Sequence, residues 1–282
     1  MIIDMHTHIF PEKISAAVVD KLSHISRTLP FTNGNINGLK NSMADAEINM
    51  SIVLPVATNT GQVEKINSSA AVLNEQHVDD GIFSLGCIHP DFSNYREELS
   101  RIKNLGLKGI KIHPVYQDKN IDDINFLHIL DRAAELDLIV VTHAGLDIGF
   151  PNVVRCSPQM IKSVVDTIGD FKFVAAHMGG WKNWDDVLKI LGGTKIFIDT
   201  AFSTEKIIPR SDCIWREEDL KLLTAAQFLK FVEIFGADRI IFGTDSPWTN
   251  QKTSIDFIKS LPIADADKNK ILELNAKHLL NI

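Results

Sequence analysis

Cysteine is scarce in this chain of 282 residues: Cys87, Cys156 and Cys213 are the full set, odd in number and far apart. With no Cys-x-x-Cys pair, they argue against a disulfide framework and against a cysteine-built zinc site. Runs of lysine and arginine are also missing. Acidic residues outnumber basic ones, 36 to 29, for a formal net charge of −7. Without a basic stripe there is no footprint of a nucleic-acid or anionic-membrane partner. No stretch approaches the roughly 20 apolar residues of a membrane span. The opening MIIDMHTH has neither the basic nor the apolar region of a leader. A cytoplasmic protein is the default expectation. No linker, no low-complexity segment and no G-x-G-x-x-G phosphate loop interrupts the chain.

What is present is ordinary globular composition, 45% apolar and 23% charged, enough for a sizeable core. The organising signal is alternation. Short β-branched runs recur at 2–6, 51–57, 83–88, 106–112, 138–143, 172–177, 195–200 and 239–245. Between them lie stretches of helical period, such as 62–78, 125–137, 158–169 and 224–236, several closed by Gly-Asp or Gly-Ala. Eight βα units predict one α/β domain over 1–282, a closed (β/α)8 TIM barrel, for which about 250 residues are usual. A doubly wound open sheet is the alternative, and it would usually bring the missing glycine-rich loop after its first strand. Two long connections, 25–50 and 201–222, are expected over or near the catalytic face.

The ends of the runs carry the chemistry. The first run leads into His6-Thr7-His8, the fifth ends in His143, the sixth in His177, and the last reaches Asp245. Residues i and i+2 on a strand share a face, so His6 and His8 can point together into a barrel mouth. Imidazoles and a carboxylate suit a borderline divalent ion, with zinc the expected one. A lone His-x-His is a weak signal. Five such groups at strand ends of one barrel are a strong one. His113 and His89 each precede proline at a run end, and His113 is the better candidate for substrate contact. His24, His77, His128 and His278 fall in helical stretches and read as solvated or rim residues. Trp181 and Trp184 read as packing. Arg155, Arg210 and Arg216 lie in catalytic-face loops, where any could pair with a substrate carboxylate.

These motifs together resemble the amidohydrolase superfamily, within it the amidohydrolase-related (amidohydrolase 2) branch that includes metal-dependent decarboxylases. The resemblance rests on DMHTH (4–8), GIKIHP (109–114), VTHAG (141–145), AHMGG (176–180), GTDSPW (243–248) and LELNAKHLL (272–280), in family order. It implies that His6, His8, His143 and Asp245 hold one metal, and that His177 holds or deprotonates the metal's water. Asp245 would bind the metal, act as base, or do both. Lys111 is ambiguous: two-metal members place a bridging carbamylated lysine on the fourth strand, but its Lys-x-His-Pro setting resembles the one-metal branch. Lys111 and His113 are otherwise substrate-binding candidates. A TatD-type nuclease would carry a glutamate where this chain has none. Asn275 resembles a family position, with a structural role expected.

The leading expectation is metal-dependent hydrolysis of a small amide, ester or lactone by a metal-activated water, with His177 and Asp245 managing protons. The second is non-oxidative decarboxylation of a small carboxylic acid. Decarboxylases of the branch tend to carry an arginine near the second strand, and SIVLPVATNT (51–60) has none, which tilts the reading to hydrolysis. A metal-binding protein without catalysis is the third. The expected partner is a small-molecule substrate, and a homodimer is the default assembly because twofold assemblies dominate.

Overall fold

The computed structural model describes residues 1–204 and 206–282. The chain opens on β1 (Ile3–Thr7), followed by α1 (Glu12–Ser26) and α2 (Ile36–Asp45). Then come β2 (Met50–Val53), α3 (Val63–Gln76), β3 (Ile82–Ser84), β4 (Gly86–Cys87) and α4 (Tyr95–Asn104). The middle holds β5 (Gly109–Ile112), α5 (Ile124–Glu135), β6 (Ile139–Thr142), α6 (Pro158–Ile168), β7 (Phe173–Ala175), α7 (Trp184–Leu191) and β8 (Phe197–Asp199). The chain ends with α8 (Ala225–Phe235), β9 (Ile240–Ile241), α9 (Gln251–Ser260), α10 (Asp265–Asn269), a π-helical turn (Lys270–Leu274) and α11 (Asn275–Leu280).

All paired strands are parallel, in the orders β1-β2-β3 and β4 through β9. Two backbone seams join these arcs. Leu85 N donates to Val53 O at 3.0 Å, so β3 and β4 are halves of one stave broken at Leu85. Met5 N donates to Phe242 O at 2.9 Å and Asp245 N to His6 O at 2.7 Å, which closes β1 onto the end of β9. The result is the (β/α)8 barrel expected from the alternation, and every run named from the sequence holds a strand.

Two cores follow from strand alternation. Ile3, Met5, Ile52, Leu54, Ile139, Val141, Val174, Phe197 and Ile241 fill the barrel, plugged by Ala276, Leu279 and Leu280 of α11. Ile110, Ile112, Val140, Ile198 and Ile240 face outward against Leu99, Ile102, Phe126, Ile129, Ile161, Val164 and Phe228 of the surrounding helices. Burying both faces is why the runs read as almost continuously apolar. Gly169 and Gly236 end α6 and α8, each with positive φ, as the Gly-Asp and Gly-Ala pairs suggested.

The connection 25–50 divides in two. Residues 36–45 form α2, which packs outside the barrel beside α9, with Ile36 at its start lining the cavity described below. Residues 27–35 do reach the catalytic face and meet the other long loop: Leu29 N donates to Ile208 O at 2.8 Å, and Thr28 pairs with Pro209. The α1 helix also lies at this end, with Ile14, Val18 and Leu22 lining the cavity described below.

Candidate active site

Simple alternation does not by itself bring His6 and His8 to the mouth. Ile3 and Met5 face the barrel interior, which would turn Thr7 inward next. The pairing register slips between Asp4 and Thr7, and this bulge re-aims the strand end. His6 and His8 then line the cavity, while Thr7 Oγ1 donates to Ile52 O at 2.9 Å. Gly243 makes room, since a Cβ there would stand 2.8 Å from the His6 Cβ. Asp245 and His177 reach the mouth through left-handed backbone, with φ of 68° and 61°. Such conformations are uncommon outside glycine and cluster at functional sites.

His6, His8 and Asp245 converge. The two Nε2 atoms are 3.2 Å apart. Asp245 Oδ1 lies 3.2 Å from His6 Nε2 and 3.0 Å from His8 Nε2. The remote nitrogens are already engaged: His6 Nδ1 contacts Asp199 Oδ2 at 2.8 Å, and His8 Nδ1 contacts Leu54 O at 2.9 Å. Both partners are acceptors, so each Nδ1 carries its hydrogen and each Nε2 keeps a lone pair. Three acceptor atoms this close demand a cation among them. A shared proton can meet that demand, and the donor set fits a divalent ion.

His143 and His177 form a second pair, with His143 Nδ1 3.0 Å from His177 Nε2. His177 Nδ1 faces Ala201 O at 3.0 Å, which fixes its hydrogen there and leaves the lone pair on Nε2. The His6 and His177 ring centres are 5.2 Å apart. His143 stands outside the close His6–His8–Asp245 group. It belongs instead to a cluster with His113 and Asp147, its Nε2 buried without a hydrogen-bond partner. Lys111 is fully buried at the cavity floor, its Nζ 3.4 Å from His6 Nε2.

Burial governs the electrostatics. It pushes the His177 imidazole down to about 4 and the Lys111 amine down to about 8. It also holds His113 and His143 well below the usual histidine range, so both are neutral near pH 7. Asp245 goes the other way: burial works to raise it, but hydrogen bonds with His6 and His8 prevail and keep it well below the usual carboxylate range.

Three acids escaped the sequence reading. Asp199 ends β8 and holds His6. Asp4 is buried outside the mouth, accepting from Thr244 Oγ1 at 2.6 Å and Gln251 Nε2 at 2.7 Å, and fastens β1 to the chain beyond β9. Asp147 lines the cavity with His113, Tyr116 and Phe150. The available signal was an aspartate inside or just beyond a β-branched run, where aspartate is depleted.

The loop arginines do not line the cavity: Arg155 pairs with Asp118, Arg210 and Arg27 with Asp212, and Arg216 with Asp219. His89 accepts from Asp91 N at 3.1 Å, a loop turn. Trp181 packs on Phe202 with ring centres 5.7 Å apart, and Trp184 Nε1 donates to His177 O at 3.1 Å. The cavity of about 1400 Å³ runs from the histidines out between α1 and α3.

Comparison with known families decides the ancestry. The family model described as amidohydrolase, of the amidohydrolase-2 type, matches residues 3–282. The chain belongs to the amidohydrolase family. No curated protein matches this amidohydrolase in sequence. Solved structures do match its fold. An uncharacterised TIM-barrel protein from Bordetella bronchiseptica is 18% identical, with 99% of this chain and 98% of that one covered and a TM-score of 0.74. A 5-carboxyvanillate decarboxylase from Novosphingobium aromaticivorans, with bound manganese, is 12% identical over 100% and 97% of the chains, TM-score 0.68. A probable 2-pyrone-4,6-dicarboxylic acid hydrolase from Acinetobacter baumannii, with citric acid bound, is 14% identical over 100% and 99%, TM-score 0.64. At these identities the likeness establishes the amidohydrolase barrel and leaves the reaction to the site.

Proposed function

We propose that this amidohydrolase is a metal-dependent hydrolase of a small amide, ester or lactone. The observation that carries the reading is a mouth lined by no arginine among the described residues, beside three converging acceptors at 3.0–3.2 Å. A substrate carboxylate would find no guanidinium clamp there. His6, His8 and Asp245 would hold the ion; His143, the fourth ligand the resemblance implies, faces His177 and Asp147 instead. Zinc suits this nitrogen and oxygen donor set. Manganese, held by the Novosphingobium decarboxylase, is the alternative. When bound, such an ion polarises a carbonyl and makes water acidic enough to attack near neutral pH.

The chain's own groups manage protons and position. His177 is neutral at pH 7 with its Nε2 lone pair held by His143 Nδ1, and it can accept a proton once that contact opens. Asp199 fixes the His6 ring, and the Asp245 carboxylate remains ionised. Lys111 and His113 would contact substrate oxygen atoms. Trp181, Phe202 and Trp248 wall the mouth and limit water.

Decarboxylation is the second reading, and Lys111 favours it. Its amine is the one cation buried in this mouth among the described residues and could hold a carboxylate. Turnover of a panel of amides, esters, lactones and aromatic acids in ¹⁸O-labelled water separates the two. Hydrolysis places label in the product acid. Release of carbon dioxide with no label in the product would reverse the order of the two readings.

A further inference from the structure

We propose that Asp147 anchors a second subsite in the same cavity, one that takes a protonated amine of the substrate. Asp147 follows β6 by a short turn in which Gly149 N donates to Oδ1 at 2.7 Å. The turn satisfies one carboxylate oxygen. The other, Oδ2, lies 3.5 Å from His113 Nε2 and 3.9 Å from His143 Nε2, both too long for a good hydrogen bond. Among the described residues no lysine or arginine pairs with this carboxylate, which is 6% exposed and lines the cavity.

A second observation points the same way. His143 Nε2, on the same wall, is buried and has no hydrogen-bond partner. Buried polar groups are normally satisfied, and a buried carboxylate without a cation costs stability unless something arrives to pair it. The unmet demand on this wall is for positive charge and N–H donors.

The surroundings select an organic ammonium over a metal ion. The His113 and His143 rings are stacked, 13° from parallel with centres 4.3 Å apart. Imidazole lone pairs lie in the ring plane, and two stacked, near-parallel planes do not meet at one ion. Tyr116 stacks on His113 at 4.0 Å, and Phe150 stands edge-on to Tyr116 at 5.6 Å. Aromatic rings in a cavity wall beside a carboxylate suit an ammonium group. Lys111, the nearby cation, is turned to His6 instead. Taken with the hydrolytic reading, on which this part rests, the substrate class is an amide, ester or lactone that carries an amine.

Isothermal titration of the metal-loaded protein with 2-phenylethylamine and 2-phenylethanol tests the subsite without turnover. These probes differ in the charged head and share the apolar body. At neutral pH the amine is expected to bind about tenfold tighter or more, the range of a charge-assisted hydrogen bond with cation–π support. In Asp147→Asn the preference should shrink to about twofold or less, with affinity for the alcohol unchanged. Equal affinity in the unmutated protein, undetectable amine binding, or a preference that survives Asp147→Asn overturns the proposal. So does loss of a second equivalent of bound metal on that substitution. Decarboxylation products would sink the hydrolytic reading and leave the amine preference standing, so the two failures are distinguishable.

Discussion

Asp199 holds His6 and His177 at once. Its Oδ2 lies 2.8 Å from His6 Nδ1, and its Oδ1 accepts the His177 backbone N–H at 2.8 Å. One buried carboxylate thus orients the ring of His6, a proposed metal ligand on β1, and fixes the turn that carries the proposed base beyond β7.

Asp199→Asn is therefore expected to weaken metal binding without changing any group that contacts the ion. Loss of such a supporting carboxylate typically costs roughly 10–100-fold in affinity. Competition against a chelator measures it. Unchanged affinity would mean that the Asp199 contact is packing alone.

The ligands and the proposed base should separate by mutation. His8→Ala removes a group from the converging triad, so bound metal and activity should fall together. His177→Asn should keep the metal and turn over roughly 10²–10⁴-fold more slowly, the usual range for loss of an acid–base group. Metal analysis and kinetics on one preparation decide it. A metal-free His177→Asn protein would make His177 a ligand.

Much of this was legible in the chain. β-branched runs separated by helical stretches named every stave of the barrel, because strands buried on both faces must read apolar throughout. The histidines showed themselves as polar residues where those runs end. Asp199 did not, because His6 lies far away in sequence and only barrel closure brings the two together. The bulge in β1 was equally hidden: it lies in the pairing of β1 with β2, and simple alternation from Met5 would have turned His6 away. The left-handed turn at His177 has no local signature either.

Lys111 should make stability depend on alkaline pH. Burial lowers its amine from 10.5 in the unfolded chain to about 8 in the fold. Below about pH 8 the amine is charged in both states, and the full burial penalty applies. Between about 8 and 10.5 the folded chain binds fewer protons than the unfolded one, so stability rises with pH. Relative to Lys111→Met, the unmutated metal-free protein should gain about 3 kcal/mol across that window. Urea midpoints at intervals of pH measure it, and a flat difference would contradict the burial.

Asn275 clamps α11 to the strand that ends the barrel. Its Nδ2 donates to Ala237 O and Ile240 O, both at 2.7 Å, the structural role expected for it. Asn275→Ala leaves two buried carbonyls unmet and should cost about 2–3 kcal/mol of stability. Denaturant titration checks this, and a loss below about 0.5 kcal/mol would show that water replaces both bonds.

Crystals of the metal-replete protein, with diffraction recorded across the absorption edges of zinc and manganese, test the central claim most directly. One anomalous peak is expected, within bonding distance of His6 Nε2, His8 Nε2 and Asp245, with Lys111 an unmodified amine. A peak confined to His113, His143 and Asp147, or two peaks bridged by a carbamylated Lys111, would contradict it.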